Sequence, residues 1–244
     1  MSTKLKFFLF HLSISLIVIL IASFIVFFLW YPSPFAKALG VTPLFIMLFI
    51  IDIIIGPLFT LLVYKSGKKT LKFDLAVIIL LQVAALSYGM YAIEQGRPTW
   101  VVYETFVFSV VKNSDIERKS IEKAEAQFQE ASWMYPSVVA LQSTLPVKKK
   151  SFLEYINQEK SSALARYPIY YTDLKNTKDR LKMNVLPLSL LDEYNDKNFV
   201  HRVIGNYPDA DAWLPLSAPV QDMVVLINKE KGEVVEIVDL RPWK

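Results

Sequence analysis

Residues 51–74 read IDIIIGPLFTLLVYKSGKKTLKFD, and the architecture is read outward from this stretch. An aspartate and a Gly-Pro pair sit inside an apolar run, a lysine-rich turn follows, and another apolar run begins. An ionisable side chain at membrane depth is rare and needs a partner. Lys65, Lys68, Lys69 and Lys72 mark the turn as cytoplasmic, because basic residues are retained on that side of a bilayer.

Three apolar runs surround this segment, at about residues 7–29, 44–64 and 74–95. Each approaches the roughly 20 residues that an α-helix needs to cross about 30 Å of hydrocarbon. The expectation is a membrane protein whose residues 1–96 form three transmembrane helices running up, down and up. Through Gln95 the chain carries seven basic and three acidic residues, the whole net charge of +4; the remainder is balanced. The basic character thus reports membrane orientation rather than a nucleic-acid surface. Six of those seven basic residues lie at the N-terminus or in the 65–72 turn, while Lys37 alone lies in the first loop. The N-terminus is therefore expected in the cytoplasm and the region after the third helix outside it. Ala36-Lys37-Ala38 resembles a signal cleavage site. The preceding run is too long for a typical signal core, and a retained anchor is expected.

Trp30-Tyr31-Pro32 ends the first run, its prolines opposing helix continuation and its aromatics suiting the headgroup level. Residues 97–244 are expected to form one exported α+β domain, with helices packed on an antiparallel sheet. Trp100 to Val111 reads as one or two strands. Ser114 and Glu117 have capping-box spacing, which predicts a helix over Asp115 to Ala131. A second helix is expected over Lys150 to Arg166 and a short one over Leu188 to Tyr194. Met223 to Ile227 and Glu233 to Leu240, flanking a glycine-containing turn, read as a β-hairpin.

Chemistry-bearing constellations are sparse. The chain has two histidines, His11 and His201, and no cysteine, so a zinc site is not expected. No phosphate-binding glycine loop or nucleophile elbow occurs. Asp209-Ala210-Asp211 reads as a polar turn in preference to a cation pair. No cofactor, metal or catalytic residue is expected, and the chain is read as a non-enzyme that takes no small-molecule substrate.

The intramembrane groups say more. Asp52 lies about 20 Å from the Lys65 end of its helix, and Gln82 about 12 Å from the Asp74 end of the next. The two levels are within reach of each other. Either Gln82 or a backbone carbonyl satisfies a partly protonated Asp52 inside the bundle, or Asp52 waits for a cationic or hydrogen-bonding group on a partner helix. Pro57, one turn beyond Asp52, removes the helical hydrogen bond to the carbonyl of residue 53, and Gly56 permits close approach. Ala85 and Gly89 form a small-residue pair that suits close helix packing, internal or with a partner.

These residues also carry a resemblance. Trp30-Tyr31-Pro32, Asp52, Gly56 to Leu61, Gly67-Lys68-Lys69, Leu71 to Val77, Gln82, Ala84 to Leu86, Tyr88-Gly89 and Arg97-Pro98 resemble the type IV pilin accessory proteins of the TfpX/TfpZ kind. Leu214 to Leu216, Asp222 to Leu226 and Leu240 to Trp243 continue the pattern, whereas residues 114–207 carry little of it. The resemblance implies a bacterial inner-membrane protein with a periplasmic domain, one that assists pilin stability or pilus assembly without catalysis. It implies as partners the lipid bilayer and pilin, both its membrane helix and its head. The expected pilin contacts are Asp52, Gly56, Pro57, Gln82, Ala85 and Gly89. Trp30, Tyr31, Lys65, Lys68, Lys69, Lys72 and Arg97 set topology and interfaces. The alternative is a membrane-tethered periplasmic sensor, which would need a partner to transmit a signal because little of the chain lies inside.

Overall fold

The computed structural model describes residues 2–65, 67–142 and 163–243. The chain separates into two compact units, one of residues 1–32 and 41–96, the other of residues 33–40 and 97–244.

Three helices long and apolar enough to cross a membrane make the first unit: Thr3–Trp30, Val41–Val63 and Leu71–Gly96. Each begins a few residues before its apolar run, because polar flanks also take helical conformation. Ser2 caps the first helix by accepting from the Leu5 N–H at 3.3 Å. Two helices contain wide π turns, Ile25–Trp30 in the first and Ile51–Ile55 in the second. Phe10, Leu20, Phe28, Leu62, Leu80 and Leu81 are among many large apolar side chains left exposed, as lipid-facing residues should be. Gly67 turns the chain between the second and third helices at φ +78°, a left-handed conformation that suits glycine. Lys68 pairs with Asp74 at 2.6 Å, which anchors the lysine turn to the start of the third helix.

The second unit is built on a mixed sheet. Its strands are β1 (Pro98–Tyr103), β2 (Phe108–Lys112), β3 (Ser137–Leu141), β4 (Tyr171–Thr172), β5 (Leu186–Pro187), β6 (Ala212–Ser217), β7 (Met223–Asn228) and β8 (Glu233–Val238). Their order is β4-β3-β1-β2-β6-β7-β8, with β5 pairing to β6. The α+β class agrees with expectation, and so do the β1/β2 pair and the β7/β8 hairpin. Most of the strand pairs are antiparallel, as expected, while β1 pairs with β3, and β2 with β6, in parallel. Long connections carry the chain from β2 to β3 and on to β6, so these strands arrive in the same sense as their neighbours.

Both faces of this sheet are covered, which explains why β7 reads as the unbroken apolar run MVVLI. Val101, Tyr103, Leu214, Leu216, Met223 and Val225 point to one face. Trp100 and Val102 point to the other over β1, and Trp213, Val224 and Leu226 over β6 and β7. The first face is closed partly by Phe35 and Ala38, from the short helix Phe35–Leu39 that lies in sequence between two membrane helices. The first loop, expected over residues 30–43 as a short outer connection, instead contributes core to the second unit through its middle. The Ala38 carbonyl accepts from the Val220 and Gln221 N–H groups at 3.1 and 3.2 Å, and Lys37 pairs with Asp239 at 2.7 Å.

The predicted helix over Asp115 to Ala131 is two short ones, Arg118–Ile121 and Ala126–Gln129. Ile116 and Glu117 are extended, and the Glu117 N–H bonds to the Arg166 carbonyl at 2.9 Å. No capping box forms, and Ala124 and Phe128 still reach the cluster around Trp100. The helix expected over Lys150 to Arg166 lies outside the described residues except for a 3-10 turn at Ala163–Arg166. The short helix expected near Leu188 is a 3-10 turn, Leu188–Glu193. Helices Lys178–Asn184 and Lys197–Ile204 and strands β3 and β6 were not anticipated. Asp209 and Asp211 brace the hairpin: Asp211 accepts from the Lys229 N–H at 2.6 Å, and the Asn228 amide donates to the Asp209 carbonyl at 2.7 Å.

Candidate functional site

The site lies within the membrane unit and grows from one spacing. Asp52, Gly56 and Thr60 stand four residues apart and so share one face of the second helix over about 12 Å. All three are buried, Asp52 being 5 % exposed. Asp52 is the middle residue of Val41–Val63, about 16 Å from either end of a helix long and apolar enough to cross a membrane.

The helix is irregular there for a reason its sequence supplies. In the wide turn Ile51–Ile55 the Gly56 N–H bonds to the Ile51 carbonyl, five residues back. The same register would offer the Asp52 carbonyl the nitrogen of residue 57, which is a proline and has no N–H. The third helix supplies the missing donor, because Gln82 Nε2 lies 3.3 Å from the Asp52 carbonyl oxygen. Sequence reading placed the freed acceptor at residue 53; the wide turn moves it to residue 52. A Cβ on Gly56 would stand 1.9 Å from Gln82 Nε2, so the side chain occupies the space that glycine leaves.

The second helix packs against both others, while the first and third make few direct contacts. Between those two runs a groove of about 330 Å³. Phe7, His11, Ile14 and Val18 line it from the first helix, and Leu75, Ile79, Gln82, Val83 and Leu86 from the third. Asp52 and Thr60 form its polar floor. Phe10, Ile14, Ile79 and Val83 on its walls are exposed, so it opens on the lipid-facing surface. His11 Nδ1 and Thr60 Oγ1 are 2.6 Å apart, which satisfies that end of the polar stripe. At the other end Asp52 Oδ2 and Gln82 Oε1 are buried, and neither makes a hydrogen bond of good geometry among the described residues.

The other expected residues are placed as follows. Gly56 faces Gln82, and Gly89 faces Leu48 of the second helix, where a Cβ would lie 2.2 Å from Leu48 Cδ2. Pro57 is buried and Ala85 half-buried. Tyr31 is buried, and its hydroxyl donates to the Ile93 carbonyl at 2.7 Å, which ties the ends of the first and third helices. A Cβ on Gly96 would stand 2.9 Å from that hydroxyl. Trp30 is buried beside it in sequence. Lys65, Lys69 and Lys72 lie around the turn that Lys68 anchors. Arg97 is buried in the second unit, where its guanidinium donates to the Ser132 carbonyl at 2.8 Å. His11 and Thr60 were missed as site residues, although the 52/56/60 spacing was there to be read.

The family model for the fimbrial assembly protein FimB matches residues 1–40. The chain is 34% identical over 122 residues to the serogroup I fimbrial assembly protein of Dichelobacter nodosus, and 33% identical over 122 residues to that of serogroup E1. Each match covers 49% of this chain and 48% of the relative, so the chain spans about half the length of those two proteins. The fimbrial assembly protein of serogroups C1 and C2 is 35% identical over 108 residues, 43% of this chain and 82% of the relative. No solved structure matches the chain. Similarity at this level over most of the serogroup C1 and C2 protein, with the family model on the first membrane helix and the segment after it, shows that this chain belongs to the FimB family of fimbrial assembly proteins.

Proposed function

We propose that this protein is a non-catalytic accessory factor of type IV fimbrial assembly, seated in a bacterial inner membrane, that holds pilin before or during its incorporation. Membership of a fimbrial assembly family supports the process, and the groove between the first and third membrane helices supports the manner. The observation that carries the reading is a half-open groove with apolar walls and a polar floor inside the membrane. That is the form a site for another apolar helix takes, with walls that offer packing and a floor that offers register. On this reading the lysine turn faces the cytoplasm, the second unit faces the periplasm beside the pilin head, and the chain stands with the TfpX/TfpZ kind. Two modest contacts made by one molecule, one in the membrane and one outside it, gain affinity through effective concentration.

Co-expression of the full chain with its own pilin tests the reading. Pilin should co-purify in mild detergent, and deletion of this protein should lower pilin levels or surface fimbriae. Absence of co-purification together with unchanged pilin would sink it.

A further inference from the structure

The chain passes between its two units in single steps, Pro32 to Ser33, Gly40 to Val41 and Gly96 to Arg97. Within the second unit, residues near these steps gather at one end of the sheet. β1 and β3 run parallel from that end, with Trp100 level with Ser137. β2 runs towards it, because Lys112 pairs with Pro98. β6 runs parallel to β2, so the 218–222 turn between β6 and β7 lies there too. Arg97, the first residue after the third membrane helix, donates from its guanidinium to the Ser132 carbonyl at 2.8 Å. Ala38, three residues before the second membrane helix, accepts from the Val220 N–H at 3.1 Å. A Cβ on Gly40, the residue next to that helix, would stand 2.9 Å from Val220 Cγ2. Successive Cα atoms are only about 3.8 Å apart, so Ser132 and Val220 are each held close to the end of a membrane helix.

The exposed apolar side chains of the second unit concentrate at the same end. Six large ones are exposed among its described residues, and four of these are Trp133, Met134, Tyr135 and Val220, at 45 to 66 %. The first three follow Ser132 directly, and Val220 lies in the 218–222 turn. Clustered exposed apolar groups mark protein or membrane contacts. Here the composition and the place both select the membrane. Tryptophan and tyrosine join an apolar ring to a polar N–H or O–H, and both are enriched at the headgroup level of bilayers. Headgroups are also what surrounds the end of a spanning helix. We propose that this end of the sheet is a membrane-docking surface, with Trp133, Met134, Tyr135 and Val220 entering the headgroup layer of the bilayer that the chain's own helices cross. The inference rests on those helices spanning a membrane and is independent of pilin holding.

The chain lacks cysteine, so a single introduced one takes a label cleanly. The full protein carrying Met134→Cys or Val220→Cys is labelled with an environment-sensitive fluorophore and reconstituted, without pilin, in phosphatidylcholine–phosphatidylglycerol vesicles. Met183→Cys is the control: Met183 is exposed, on a helix whose Lys178 pairs at 2.8 Å with Glu233 beside the β7/β8 turn, at the opposite end of the sheet. Phosphatidylcholine bearing a nitroxide on its headgroup is the quencher. Labels at 134 and 220 should lose most of their emission when it is included, and the label at 183 little. All three substitutions are at exposed positions, and the two test sites lie on separate segments, so a folding defect in one leaves the other to decide. If neither test label is quenched more than the control, the proposal is overturned and the pilin-holding reading stands. If the test labels are shielded from aqueous iodide yet untouched by the nitroxide lipid, protein covers the patch, and the lipid assignment is likewise overturned.

Discussion

The Gln82 amide reaches the carbonyl oxygen of Asp52, 3.3 Å away, through the space that a side chain on Gly56 would fill. Three features of the second helix meet in that contact. The wide turn diverts the Gly56 N–H to Ile51, Pro57 supplies no N–H, and glycine admits the neighbour that restores the lost bond. A group of residues that looks like a helix-breaking lesion is therefore a docking point for the third helix.

Gly56→Ala and Gln82→Ala should each destabilise the membrane unit by about 1–3 kcal/mol, the first by overpacking and the second by baring the Asp52 carbonyl. The double variant should cost less than the sum, because removing the Gln82 side chain relieves the clash that alanine at position 56 creates. Reversible unfolding in mixed micelles, analysed as a double-mutant cycle, measures the coupling. Strict additivity would show that the two residues do not share this contact.

Tyr31→Phe removes the hydroxyl that donates to the Ile93 carbonyl and should cost about 1 kcal/mol. The loss is local, so the ends of the first and third helices should show faster amide exchange while the Asp52 region is unaffected. Exchange mass spectrometry of the detergent-solubilised protein separates the two regions.

Phe35→Ala tests whether the segment between the first two membrane helices is structural. Phe35 is buried against a core that also contains Leu181, Leu216 and Met223. Truncation should cost the second unit about 3–5 kcal/mol, as for other buried aromatics. Proteolysis should then cut β7 and β8 at lower denaturant concentration than in the parent protein. A protease profile matching the parent would mean that the segment merely rests on the unit.

Burial raises the Tyr103 hydroxyl from its ordinary value of 10.0 to about 12. A raised acid contributes stability below its unfolded value and loses it as pH climbs through the folded one. The second unit should therefore lose roughly 2–3 kcal/mol between pH 10 and 12 on account of this group. Tyr103→Phe should flatten that part of the curve, leaving the drop due to Tyr171, which burial and the nearby Glu104 charge raise further. Tryptophan fluorescence followed against pH reads the difference, and an identical alkaline profile in the variant would contradict it.

The membrane helices were legible because hydropathy over twenty residues needs no tertiary partner, and the β7/β8 hairpin because its turn and its strands are contiguous. Other features depend on distant residues. Ile116 and Glu117 leave the helical path to meet the Arg166 carbonyl, which no local periodicity announces. Phe35 and Ala38 look like loop residues until the sheet that they cover is known. At the site, the aspartate and the Gly-Pro pair stood out by composition. Their pairing with Gln82 depended on a wide turn that moves the free carbonyl by one residue. Thr60 was readable four residues beyond Gly56, but a lone threonine in an apolar run carries no signal without the face that it shares.

Bulk on the groove wall provides the bluntest test of the functional reading. Ile14 and Val83 face each other's helices across the opening and are exposed, so tryptophan at either position should change stability by no more than about 0.5 kcal/mol. The new ring would nevertheless cover the polar floor and occupy the volume that a visiting helix needs. Ile14→Trp and Val83→Trp should each abolish pilin co-purification, whereas Leu80→Trp, placed at an exposed position that does not line the groove, should leave it unchanged. If all three variants retain pilin equally, the partner binds elsewhere on the protein. If all three lose it, membrane insertion itself has been disturbed, which comparing the membrane-inserted fraction of each variant would reveal.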